Sequence, residues 1–174
     1  GQVLGRVKLR DDWTGYTHVT DSGLLHEIMT DNQIEGAHYI DEIRRVFFSK
    51  LQTHLERHGP FPALPGAIAF VERVLAAPNH GLAYATGGWQ QSARMKLARA
   101  GFPLDGIPLA TSDDYPDRKS IMMRALAELP GPIDAITYYG DGIWDQKASR
   151  DLGWQFVAVG RRLNGIEDYF DAVL

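Results

Sequence analysis

Apolar positions change their rhythm once along this chain. From Ser22 to Met29, and again from Ile40 to His58, they recur at helical spacing, as in Ile40, Ile43, Val46, Phe47, Leu51 and Leu55, so this part is predicted to be mainly helical. A stretch dense in turn formers follows, Gly59-Pro-Phe-Pro-Ala-Leu-Pro-Gly66, and reads as a domain boundary. Beyond it the texture alternates: helix 67–76, strand 82–86, helix 90–100, strand 107–110, helix 119–128, strand 135–139, helix 145–152 and strand 156–159. Strands alternating with helices of this length predict βαβ units and a parallel sheet covered on both faces. The expected class is α/β, with a helical domain over residues 1–62 and an α/β domain over 63–174. Ile166, Tyr169, Phe170 and Val173 predict a short amphipathic helix in the tail.

Composition narrows this picture. At 174 residues and 44% hydrophobic, the chain is long and apolar enough for one core with a small appendage, as a monomer or a homodimer. It contains no cysteine, which excludes disulfides and thiolate ligands, so any metal must be held by Asp, Glu or His. The net charge of −4 is made of interleaved acids and bases with no basic stripe, so nucleic acid is not an expected partner. No apolar run approaches the ~20 residues that cross a bilayer, so no membrane is expected either, and the default location is cytoplasmic. His54 and His58 lie one helical turn apart, but they read as cationic side chains at a helix C-terminus ahead of Gly59-Pro60.

The chemistry concentrates at strand ends. The apolar run Ile136-Thr-Tyr-Tyr139 leads into Gly140-Asp141, and Asp145 follows four residues on, where open parallel sheets place their ligands. Two carboxylates on one short loop repel each other unless a cation lies between them, and hard oxygen donors suit Mg²⁺. The plainer alternative is that Asp141 caps the next helix and Asp145 is solvated in its first turn. The strand 82–86 ends in Thr86-Gly87-Gly88, a hydroxyl beside two glycines at a helix start, which is a corner suited to an anion. Asp117-Arg118-Lys119-Ser120 opens a helix with two cations at its electrostatically wrong end, which calls for a compensating anion nearby. Adjacent helical residues point about 100° apart, so only one of Arg118 and Lys119 is expected to face that anion.

A Thr at one strand end, a Lys or Arg at a later helix start, and Gly-Asp-x-x-x-Asp at a further strand end, in that order, resemble the haloacid dehalogenase superfamily of phosphohydrolases. The match covers residues 64–160, with Thr86, Arg118 or Lys119, and Asp141 with Asp145 standing where the family's second, third and fourth motifs stand. Residues 13–21 and the helices after them are similar to the family's helical cap. The resemblance implies a three-layer parallel-sheet core with a mobile lid, and a Mg²⁺-dependent hydrolysis of a small phosphorylated metabolite through an aspartyl-phosphate. It further implies that Asp141 and Asp145 hold or orient the metal, that Thr86 and Gly87 take phosphoryl oxygens, and that Arg118 or Lys119 neutralises charge. Tyr16, Thr17, His18 and Asp21 are the expected substrate-facing residues of the cap.

The family's first motif, Asp-x-Asp-x-Thr or Val after an apolar strand, has no match. Arg10-Asp11-Asp12-Trp13-Thr14 comes closest, but its aspartates are adjacent rather than alternate and would point to different faces of an extended chain. The expectation is that the nucleophilic strand lies in a longer polypeptide of which these residues are a part. The alternatives are a strand over 3–9 filling its slot without catalytic residues, or a strand swapped in from another copy. A catalytically silent binding module and a metal-independent dehalogenase are the rival functions; a nucleotide-binding domain is disfavoured because no Gly-x-Gly-x-x-Gly or Gly-x-x-x-x-Gly-Lys follows a strand.

Overall fold

The computed structural model describes residues 3–170 and Ala172. Its first half is helical, as the periodicity predicts. Helix α1, Asp21–Asp31, begins where the Thr20 hydroxyl accepts the Gly23 N–H at 3.1 Å, and Asp21 sits in its first turn, the favourable end for an acid. Helix α2, Ala37–His58, ends at Gly59, whose positive φ of 78° lets the chain leave the helix. Leu25 and Met29 of α1 pack with Trp89, and Ile43, Phe47 and Phe48 of α2 close over the same cluster. Phe47 and Phe48 meet the Trp89 indole edge-on, with ring centroids 5.4 and 5.9 Å apart. Trp89 belongs to the second half, so the helical layer is seated on the α/β part by its own core.

The second half follows the predicted order: α3 Ala67–Ala76, β1 Tyr84–Ala85, α4 Gln90–Ala100, β2 Leu109–Ala110, α5 Arg118–Ala127, β3 Thr137–Gly140, α6 Ile143–Leu152 and β4 Gln155–Ala158. The class is α/β and the pairing is parallel, but the strands form two pairs instead of the single sheet predicted. Strand β1 pairs with β2, and β3 with β4 in the register Thr137 to Gln155 through Gly140 to Ala158. Tyr84 and Thr86 donate their N–H groups to Pro108 and Ala110, so the Ala85 carbonyl points to the other side of β1. There it accepts a hydrogen bond from the Tyr138 hydroxyl of β3 at 3.1 Å. A side chain, rather than a ladder of backbone bonds, spans from one pair to the other.

One expectation and one alternative fail here. Among the described tail residues there is no amphipathic helix: a 3₁₀ turn, Arg161–Leu163, is followed by Asn164 at φ 50°, which reverses the chain. Ile166 then bridges Val159, the Tyr169 N–H donates to the Pro65 carbonyl at 2.8 Å, and the Tyr169 ring packs on Phe70 and Tyr139. Of the apolar residues that mimic a helical face, Ile166 and Tyr169 have separate partners and Phe170 is exposed, while Val173 lies outside the described residues. Residues 3–9 form no strand, and Leu4 joins the Leu25–Met29–Trp89 cluster on the helical side. This segment is held there by Asn32, whose side chain accepts from the Lys8 N–H at 2.7 Å and donates to the Lys8 carbonyl at 2.9 Å.

Candidate functional site

The carboxyl ends of β1 and β3 converge on one buried ion pair. Asp117 caps α5 by accepting the Ser120 N–H at 2.9 Å, which places Arg118 in the first turn with its side chain turned inward. Its guanidinium lies 3.2 Å from Asp145 Oδ1, with side-chain exposures of only 14% and 6%. Asp145 is the third residue of α6, and its Oδ2 accepts the Gly142 N–H at 3.1 Å. The compensating anion that two cations at a helix start call for is therefore Asp145 in the case of Arg118 and, at 3.7 Å, the surface residue Asp151 in the case of Lys119. Lys119 is half exposed and directed away, so Arg118 is the cation at the strand ends.

Arg118 is also what ties this pair to the glycine corner. A Cβ built on Gly87 would stand 2.6 Å from Arg118 Nη2 and 3.1 Å from Thr20 Cγ2, so only glycine lets the guanidinium lie against the loop. The Thr86 hydroxyl accepts the Gly88 N–H at 3.2 Å, closing a tight turn. Gly87→Ala is expected to push the guanidinium off the loop, lowering stability by about 1 to 3 kcal/mol and weakening any anion bound there. Urea unfolding and a phosphate titration of the variant check both effects.

Burial raises the Asp145 carboxyl above the ordinary aspartate range even though Arg118 and the Gly142 N–H work against it. The attraction between the two charges thus falls short of the cost of removing Asp145 from water, as is common for buried pairs. Tyr138 is packed against the same pair. Burial, with the nearby Asp145 charge, drives its hydroxyl above the ordinary phenol range, so it is a neutral donor to Ala85 at all ordinary pH. Sequence reading missed Tyr138, which lies inside β3 among residues that read only as an apolar run.

Asp141 does not cap α6: the residue at the N-cap is Gly142. Its side chain is 68% exposed and stands 4.0 Å from Arg162. Asp145 is buried rather than solvated, so the plainer alternative for this loop is excluded for both residues. Trp144 between them stacks under Arg162, with the guanidinium 5.4 Å from the ring. The two aspartates are hard oxygen donors of the kind Mg²⁺ prefers. Among the described residues, no group of three or more His, Asp or Glu side chains is assembled to hold a metal, so these two would supply only part of its shell.

The four residues expected to line the cap separate. Tyr16 is buried, its hydroxyl accepting the Arg10 N–H at 3.1 Å under the Arg10 guanidinium. Thr17 and His18 donate their backbone N–H groups to Glu27, at 2.8 and 3.1 Å. Asp21 reaches the strand ends, where its Oδ2 accepts the Trp89 N–H at 3.0 Å. Farther along the same contact, Arg44 of α2 meets Asp113 at 2.6 Å, while Asp113 accepts the Gln90 N–H at the start of α4.

No family model matches this chain, and no curated protein matches it by sequence. Its fold is similar to that of a hydrolase from Pseudomonas syringae of known crystal structure, with a TM-score of 0.62 and 21% identity over 78% of this chain. The match covers 62% of that protein, so this chain spans less than two thirds of its length. At that identity the likeness establishes a shared α/β fold. Among the described residues, no helix is long and apolar enough to cross a membrane.

Proposed function

We propose that this chain carries most of the active site of a Mg²⁺-dependent phosphohydrolase that acts on a small phosphomonoester through an aspartyl-phosphate. The observation that carries the reading is the meeting of Thr86, Gly87, Arg118 and Asp145 at the ends of β1 and β3, in the order and setting of the haloacid dehalogenase motifs. A fold shared with a protein described as a hydrolase supports the general class. In this reading the nucleophilic aspartate lies outside the described residues, on a strand that enters between β1 and β3, where the Ala85 carbonyl points and Tyr138 now reaches. Thr86 and the Gly87 corner bind the phosphoryl oxygens, and Arg118 offsets their charge as it spreads in the transition state. Asp141, with Asp145 beside it, would hold or orient Mg²⁺, which would supply charge neutralisation at the phosphoryl group. Residues 1–62 act as the cap, seated by Trp89 and by the Arg44–Asp113 pair.

The test is turnover of p-nitrophenyl phosphate by the complete polypeptide with and without Mg²⁺, beside chloroacetate. Mg²⁺-dependent release of phosphate is the expected result. Halide release without metal would make it a dehalogenase, and binding of phosphate with neither activity would make it a silent module.

A further inference from the structure

We infer that Asp21 is a positioning residue that sets the shape of the Thr86-Gly87-Gly88 corner; this rests on the reading of that corner as the phosphoryl site. Four consecutive residues ahead of and within the first turn of α1 are bonded to the loops at the strand ends. The Val19 carbonyl accepts from Arg118 Nη2 at 3.2 Å, and the Thr20 hydroxyl donates to the Pro116 carbonyl at 2.6 Å. The Ser22 hydroxyl donates to Ser112 at 3.2 Å and accepts the Trp89 indole N–H at 3.0 Å. Asp21 alone grips the glycine turn from both sides. Its N–H donates to the Gly87 carbonyl at 2.7 Å and its carboxylate accepts the Trp89 N–H at 3.0 Å, one bond on each flank of Gly88.

Geometry also sets Asp21 beside the binding face of the turn. The point where a Cβ on Gly88 would stand lies 3.6 Å from Thr86 Oγ1 and 3.7 Å from Asp21 Oδ2, so the hydroxyl and the carboxylate flank the same glycine. A two-glycine turn has wide conformational freedom, and N–H groups serve an oxyanion only when their direction is fixed in advance. Asp21 provides that fixing from a different part of the chain, beside the Ser112 N–H that donates to the Gly88 carbonyl at 3.1 Å. A carboxylate is not needed for the bond to Trp89: any oxygen acceptor of the same reach would make it. Burial in fact raises the Asp21 carboxyl, with Asp113 adding to the rise and the Trp89 N–H, Lys96 and Arg118 opposing it.

The experiment compares Asp21→Ala, Asp21→Asn and Ser22→Ala in this chain, with inorganic phosphate and tungstate as probes, at a temperature where each variant is folded. Asp21→Ala should bind the anion about tenfold more weakly, Asp21→Asn should restore most of the affinity through its amide oxygen, and Ser22→Ala should leave it unchanged. Amide exchange of Gly88 and Trp89, followed by NMR without anion, is the second readout: protection at Trp89 should fall in Asp21→Ala and return in Asp21→Asn. Unchanged Trp89 protection in Asp21→Ala overturns the inference, as does unchanged anion affinity where the wild type binds. A wild type that binds no anion removes the phosphoryl-site reading, and the exchange data then decide alone whether Asp21 holds the turn.

Discussion

Replacing Arg118 with Met should lower stability at neutral pH by about 3 to 5 kcal/mol, a deficit that shrinks as the pH is lowered. The side chain fills a similar volume, so the loss is electrostatic: Asp145 stays buried and loses the one cation opposite it. Its carboxyl is already above the ordinary range with Arg118 in place and rises further without it. The sign follows from linkage. A carboxyl whose folded pKa is raised binds more protons in the native state, so its stabilisation is present below the unfolded value of about 4 and is lost as pH climbs through the folded value. Groups shifted the other way, such as Asp117, weaken the native state only as the pH falls below the ordinary aspartate range. Urea unfolding between pH 4 and 8 should therefore show a slope in Arg118→Met that is steeper than in the wild type. Adding Asp145→Asn should flatten the slope and recover much of the stability at neutral pH, while phosphate binding stays lost. A pH-independent deficit would mean that Arg118 acts through packing alone.

Asp141→Asn should have the opposite character, leaving the fold unchanged and removing activity. The side chain is 68% exposed and its nearest cation, Arg162, is 4.0 Å away and itself on the surface, so little stability depends on it. If it holds Mg²⁺, turnover of p-nitrophenyl phosphate by the complete polypeptide should fall on the order of 10²-fold or more, with a melting temperature within about 1 °C of the wild type. Steady-state kinetics across a Mg²⁺ series, beside a thermal melt, check both halves. Near-normal turnover at saturating metal would remove Asp141 from the site.

The strand-end residues were legible because their signals are local. Thr86-Gly87-Gly88 and Gly140-Asp141 each follow an apolar run and precede a helix, and the structure places them where that order says. The choice between Arg118 and Lys119 was not legible, since both sit at the same helix start and only packing against α6 turns one inward and leaves the other at Asp151. The position of Asp21 was equally hidden: its partner Trp89 is far along the chain, and a polar cluster rich in turn formers looks alike whether it lines a lid or grips a loop. The tail misled because period alone cannot tell a helical face from a reversing chain whose side chains find separate partners. The split of the sheet could not be read from the pattern at all, because strand order is a property of pairing partners rather than of any one strand.

Because the two strand pairs are each built from neighbours in sequence, the backbone bonds between their strands are short-range ones. Pairing β1 with β2, or β3 with β4, closes only the loop through one intervening helix, so each unit pays little chain entropy and can form without waiting for the other. Their alignment rests on α5, which packs on β1 and β2 and against α6, on Tyr138 against Ala85 and on Arg118 against Asp145. Arg118, which would offset charge at the phosphoryl group, is thus also one of the contacts that join the two strand pairs into one cooperative unit.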